Sequence, residues 1–371
     1  MRPPMPGGRS GEGYLILKSF ILASASLAAL ATSAFAATGP KPMFVVKRHI
    51  GSNIHVPGTT PLPTWTLDWT YKSKAYSAIF VGTDPSKGGV STTVPVYIFP
   101  VKITVGKLVE DPLKAEANGK TPVDVTVASP IFQSKTDYTQ GGTDLGTTQY
   151  EDAFQRAALW GEVQSNTGYH VLLGTPTIEP EISLTVPAAD SGTGSPFGQK
   201  VALVDINYFD AQVNAALKAA KLSPDSLPIF MVTQTYLTEG GCCIGGYHSY
   251  TGTQAYSVFT FIKNKSSTLV FSQDVSALSH ELGEWMDDPL TNNTNIPSTC
   301  GTQGNDNDIY EVGDPLEVDA NYGDYPYVLK GVTYHLQDLT LPPYFGAPTT
   351  TSVNGWFTFQ GHAFTVCENG G

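Results

Sequence analysis

Apolar and β-branched residues alternating with polar ones predict strands at 65–81, 94–105 and 123–127. From 149 to 163 the period changes. Tyr150, Phe154, Ala157 and Ala158 recur at helical spacing and predict an amphipathic helix. Residues 169–176 read as a strand and 185–199 as a loop. Residues 209–222 read as a second helix, stopped at Ser223-Pro224. The apolar run 227–237 is expected to be a buried strand. GGCCIGGYHSY, which follows it, is expected to be a tight glycine-rich loop, and 255–262 another strand. A third helix is expected over 273–288. Beyond it the chain is rich in Asn, Asp, Gly and Pro to about 326, with strands expected at 327–337 and 355–366. No internal repeat interrupts this order. It predicts an α+β fold with a β-rich N-terminal region, 37–130, able to form a subdomain beside an α+β body at 131–371.

The third helix raises a chemical question. Gln273 or Asp274 can start it and Pro289 ends it. Val275, Leu278, Leu282, Trp285 and Met286 fall on one face. His280, Glu284 and Asp287 fall on the opposite stripe, with Gly283 expected to leave open space beside them. The stretch HELGE, 280–284, differs by one letter from the zinc-peptidase signature H-E-x-x-H. An imidazole and a carboxylate one turn apart can chelate a metal ion. Glu281 would lie beside the ion, where a general base belongs. A further ligand is sought in DIYEVGDPLE, 308–317, at Glu311 or Asp314. One His with two carboxylates is a hard donor set; it can hold Zn²⁺, and it suits Mn²⁺ or Fe²⁺ as well. The 305–314 loop could instead offer oxygen ligands to Ca²⁺, although it does not match an EF-hand. The competing reading of the helix is an ion-paired surface, with His280 held by a local carbonyl. His248 in GGYHSY, and His335 with Tyr334 beside it in TYHLQDL, are candidates to donate a hydrogen bond to a developing oxyanion.

Charge and composition narrow the setting. The chain has 371 residues and a net charge of −12, which argues against nucleic acid as a partner, since nothing here would neutralise phosphates. Residues 15–36 carry Lys18, a short apolar stretch and the small-x-small site Ala34-Phe35-Ala36. This is the pattern of a secretory signal peptide cut after Ala36. Cleavage would remove three cations and one anion and leave the mature chain at −14. No later segment is apolar enough to span a membrane, so a secreted, periplasmic or cell-surface protein is expected. The four cysteines are Cys242, Cys243, Cys300 and Cys367, and an even count in an exported chain suggests two disulfides. Cys300 with Cys367 and Cys242 with Cys243 is one pairing; each of the adjacent cysteines bonding a distant one is the alternative.

SHELGEWMDDP, YEVGDPLE and YHLQDL, with GGCCIGGYHSY ahead of them, resemble a group of exported bacterial proteins. Their shared pattern is H-E-x-x-E, then D-P, then E-[IV]-G-D, and the group is similar to divergent zincin metallopeptidases. The resemblance covers about residues 225–340. It implies a zincin-like mixed sheet, His280 and Glu284 as metal ligands, Glu281 as general base, and Glu311 or Asp314 completing the site. A metal-dependent hydrolase built this way would attack a peptide carbonyl lying along strand 255–262. Glu284 departs from the zincin pattern, in which the fifth position is His. A fainter similarity, to the plant Exordium (phosphate-induced) family, implies instead a non-catalytic exported protein that binds cell-wall material or carbohydrate.

Overall fold

In a computed structural model of the chain, the described residues run from Leu62 to Phe359. Gly89, Phe197, 264–272, 294–295, 298–309, 315–323, Asp338 and 349–356 are excepted. The leader at 1–36, Cys300, Cys367 and the first half of the proposed Ca²⁺ loop, 305–309, fall outside them.

The first described elements are β1 (Thr64–Tyr71) and β2 (Lys74–Val81), an antiparallel hairpin where the sequence predicts one strand. The chain reverses at Lys72 and Ser73, with φ of 47° and 66°. Neither is the Gly or Asn that usually announces such a turn. Strand β3 (Val96–Val105) falls where expected. The stretch 123–127 is a helix, Pro122–Val127, not a strand. Thr121 and Asp124 form a capping box with Pro122 in the first turn, a start signal that outweighs the β-branched residues behind it.

Helix α1 (Tyr150–Ala158) lies inside the predicted span. Strands β4 (Ile182–Thr185) and β5 (Val201–Asp205) lead to α2 (Ile206–Ala220), whose cap is the Asp205 carboxylate. The apolar run 227–237 is divided at Gln234 (φ 46°) into β6 (Leu227–Thr233) and β7 (Thr235–Thr238). The supposed glycine-rich loop is two strands, β8 (Cys242–Ile244) and β9 (Gly246–Tyr250). Then come β10 (Ala255–Phe261) and α3 (Ser276–Asp287). A hairpin, β11 (Asp324–Leu329) and β12 (Val332–Gln337), replaces the single strand expected at 327–337.

The fold is α+β. Its main sheet has seven strands, and the principal path runs β4–β3–β6–β10–β9. Neighbours are parallel from β4 to β10, and β9 returns antiparallel at the end of the path. The β-rich N-terminal region thus contributes an inner strand, β3, to the same sheet as the later residues. Strand β7 leaves for a second sheet, where it lies between β5 and β8.

Alternation along the strands builds two cores. Tyr247, Tyr256, Val258, Phe230 and Val232 pack with Phe209 and Val213 of α2. Phe259, Phe261, Ile229 and Met231 belong to the other core, with Leu278, Leu282, Trp285 and Met286 of α3. Helix α3 therefore lies against one face of the sheet and α2 against the other. His248, next to Tyr247, faces α3. Among the described residues no helix is long and apolar enough to cross a membrane.

Candidate metal centre

Helix α3 starts later than its sequence suggests. Val275 precedes its first turn and supplies no side-chain cap. Asp274 (φ 38°) has a different task. Its carboxylate accepts from the Val275 N–H at 2.6 Å, and it meets the backbone N–H and ring Nδ1 of His335 at 2.9 and 2.6 Å. The helix ends at Asp287, ahead of Pro289. The Asp288 carboxylate then accepts the backbone N–H groups of Asn292 and Asn293. The Asn293 side chain ties the loop to both backbone groups of Ile79 on β2.

The apolar stripe is buried as predicted. Burial of large side chains such as Leu278, Leu282, Trp285 and Met286 contributes about 1.5–3 kcal/mol each. This offsets part of an unusual cost, because the polar stripe is buried as well. His280, Glu281 and Asp287 are 0 % exposed and Glu284 is 2 % exposed. The expectation of a solvent-facing stripe, and of open space at Gly283, is corrected here. A Cβ on Gly283 would meet Leu339 Cδ1 at 2.5 Å and Glu151 Oε2 at 3.3 Å. The glycine lets α1 and the segment after β12 close over the helix. Helix α1 is likewise buried along its whole length, so it is not amphipathic toward solvent.

The predicted ligands come together. His280 Nε2 lies 2.9 Å from Glu284 Oε1, across one helical turn, and 3.3 Å from Asp314 Oδ1. Its other ring nitrogen, Nδ1, lies 2.9 Å from Gln337 Oε1, so Nδ1–H donates and Nε2 is turned toward the carboxylates. Gln337 is itself fixed: its backbone N–H donates to Ser279 Oγ at 2.8 Å and its carbonyl accepts from Tyr150 Oη at 2.6 Å. An oriented imidazole of this kind is the usual outer support of a metal ligand. From the sheet side, His248 Nδ1 lies 3.3 Å from Glu281 Oε2 and 3.7 Å from Glu284 Oε2. Donor atoms of His280, Glu281 and Glu284 lie within 4.8 Å of one another, as do those of His248, Glu284 and Glu311.

Glycines admit the two approaching backbones. A Cβ on Gly313 would lie 2.4 Å from His280 Nδ1, so only glycine lets the Glu311–Asp314 segment cross the imidazole. The Gly313 N–H donates to Glu284 Oε1 at 3.1 Å. On β9, a Cβ on Gly246 would meet Glu281 Oε1 at 2.8 Å. The E-V-G-D stretch therefore supplies two carboxylates and a close passage in four residues.

Seven carboxyl groups, those of Glu151, Glu281, Glu284, Asp287, Asp288, Glu311 and Asp314, are each buried in or beside this cluster. Among the described residues, the ion pairs within it all join a carboxylate to His248 or His280. The charges strain one another accordingly. Burial pushes the Glu311 carboxyl well above the ordinary range, and the neighbouring Glu284 and Asp314 push it further. Burial raises Glu151 and Asp287 likewise. Burial also opposes the charged form of His280, but Glu284, Asp314 and Glu281 outweigh it and hold the imidazole well above its usual value. Burial opposes the Glu284 carboxylate too, and the adjacent His280 nevertheless lowers it. His248 is pushed down to about 4, by burial first, with Glu284 acting against the shift.

A divalent cation fits this donor set. Both oxygens of Glu311 are buried without a hydrogen-bond donor among the described residues. Around a tetrahedral ion with bonds of about 2.0–2.2 Å, ligand atoms stand about 3.3 Å apart, which is the scale of the separations at His280 and His248. The buried His and Glu groups could thus hold a metal ion.

His335 and Tyr334 are placed otherwise. His335 is engaged by Asp274 beside the start of α3, and Tyr334 is buried on the same strand. The residue of that strand that reaches the cluster is Gln337, which the sequence does not single out. Glu151 was not foreseen either. Cys242 and Cys243 are neighbours on β8, and chain adjacency alone brings their sulfurs together, which does not demonstrate a bond. Compared with protein-family models, curated proteins and solved structures, the chain finds no match in any of the three.

Proposed function

We propose that this protein is an exported, metal-dependent hydrolase of zincin-like design, acting on peptide or cell-wall material. One observation carries the reading: His280 Nε2 meets Glu284 Oε1 at 2.9 Å and Asp314 Oδ1 at 3.3 Å, while Gln337 orients the imidazole. His280 Nε2, Glu284 and Asp314 would hold the ion, with zinc first and manganese or iron also suited to so anionic a set. A bound dication would acidify a coordinated water and polarise a substrate carbonyl. Glu281 Oε2 would accept the proton of the attacking water. His248, with Nδ1 3.3 Å away, would hold that carboxylate in place by donating its ring N–H to it. The antiparallel strand β9 followed by β10 and then α3 supports the same reading. Strand β10, expected from the sequence to carry the peptide, is paired on both sides, by β6 and β9; β9, at the end of the path, is the strand along which an extended peptide would add.

The test is Glu281→Gln. The variant should retain its metal and lose hydrolysis of a denatured-protein or peptidoglycan substrate by about 10²–10⁴-fold, the usual contribution of a general base. Undiminished turnover would sink the assignment. A second reading is favoured by burial: Glu281 and His280 are 0 % exposed, and closed metal sites are typically structural. On that reading the protein is a non-catalytic exported binding protein. The wild type would then hold metal, hydrolyse nothing, and lose thermal stability on chelation.

A further inference from the structure

The Glu284 carboxylate faces two histidines at once. Its Oε1 lies 2.9 Å from His280 Nε2, and its Oε2 lies 3.7 Å from His248 Nδ1. The histidines come from different elements, α3 and β9, and each has a further carboxylate of its own. Asp314 Oδ1 stands 3.3 Å from His280 Nε2. Glu311 groups with His248 and Glu284. Glu281 is shared: it belongs to the His280 group, and its Oε2 stands 3.3 Å from His248 Nδ1.

We infer that the cluster holds two divalent transition-metal ions bridged by the Glu284 carboxylate, one on the His280–Asp314 side and one on the His248–Glu311 side. This rests on the metal-centre reading above and extends it from one ion to a pair. Three observations lead there. The two oxygens of Glu284 face different imidazoles, the arrangement of a carboxylate that bridges two ions. Glu311 supplies the second independent sign. Glu311 is 1 % exposed, no donor among the described residues meets its oxygens, and its carboxylate lies within 4.8 Å of donor atoms of His248 and Glu284. Charge gives the third. Glu281, Glu284, Glu311 and Asp314 can present four negative charges. One dication balances two of them, and a pair balances all four with both imidazoles neutral. A donor set of two imidazoles and three carboxylates, with Glu281 beside the ions as the base, suits Mn²⁺, Fe²⁺ or Zn²⁺. Bridged pairs of such ions stand about 3.5–4 Å apart. In this arrangement His248 is a ligand as well as a neighbour of Glu281.

The experiment is to strip the purified full chain with a chelator, titrate it with Mn²⁺ alone, and read bound ions by equilibrium dialysis and by electron paramagnetic resonance. The pair predicts two ions per chain with an exchange-coupled spectrum. His248→Ala should bind one ion and give the uncoupled six-line signal. One ion per wild-type chain with an uncoupled spectrum would overturn the pair and leave the single-ion centre standing. No bound ion would overturn both. Should His248→Ala fail to fold, the wild-type spectrum decides alone.

Discussion

The two faces of the main sheet each bury a carboxylate, and they treat it in opposite ways. On the α2 face, Asp210 accepts from Tyr256 Oη at 2.6 Å and Tyr247 Oη at 3.0 Å on one oxygen. It accepts from Asn214 Nδ2 at 2.9 Å on the other. These three donors are neutral, and an apolar core surrounds them. On the α3 face, carboxylates crowd one another around two imidazoles, and Glu311 is met by no donor among the described residues. Tyr247 and His248 are consecutive residues of β9, so one peptide unit separates the two arrangements. Buried polarity by itself therefore identifies nothing. What marks a site is polarity that the protein leaves uncompensated, because evolution of a stable core alone would satisfy it or remove it.

The comparison can be broken most forcefully at Asp210. Asp210→Ala leaves two fully buried tyrosine hydroxyls without this acceptor, while the Asn214 amide keeps the backbone carbonyl of residue 210. At about 1–3 kcal/mol for each unsatisfied group, a loss of about 3–5 kcal/mol is expected in urea unfolding, with metal content unchanged. A loss below about 1 kcal/mol would mean the α2 face is not held by these bonds. Next in size is Gly313→Ala. Its Cβ would collide with the His280 ring, and overpacking of this kind costs about 1–3 kcal/mol. Metal binding should be lost with it, as read by elemental analysis. Gln337→Leu should lower metal affinity about 10–100-fold in competition with a chromogenic chelator, because His280 loses its orienting acceptor. Gln337→Glu, which keeps an acceptor, should recover most of it. The smallest effect sharpens the comparison by sign. In the metal-stripped protein, Glu311→Gln should leave stability unchanged or raise it by up to about 1 kcal/mol, since it removes a crowded carboxyl. Asp210→Asn, the same chemical change on the other face, should lower stability by about 1–2 kcal/mol, because its amide N–H₂ would confront a donor.

How far was this legible in the amino-acid sequence? The ligand-bearing turn was, since His280, Glu281 and Glu284 are fixed relative to one another by helical geometry alone. Glu311 and Asp314 were legible as candidates, and the glycine between them becomes intelligible once the His280 ring is seen beneath it. The burial of the stripe was not. Periodicity shows that a helix has two faces but not that Glu151 of α1 and Gln337 of β12 cover the second one. Those contacts depend on a helix crossing and on hairpin register, which local pattern does not encode. The strand nature of GGCCIGGYHSY was hidden by its glycines, which weaken β propensity although they admit Glu281 here. The mixed α+β class was readable from the order of elements. The turns at Lys72-Ser73 and Gln234 were not, because residues that rarely adopt positive φ occupy them.

The central claim is that the α3 face is built around a cation. Elemental mass spectrometry of the purified, untagged protein beside Glu284→Ala tests it most directly. We expect at least about one zinc, manganese or iron per wild-type chain, and near-complete loss in the variant, since Glu284 stands between both histidines. Wild-type protein free of these metals, or a variant that retains them in full, would contradict the account and leave the buried carboxylates of α3 as a structural feature.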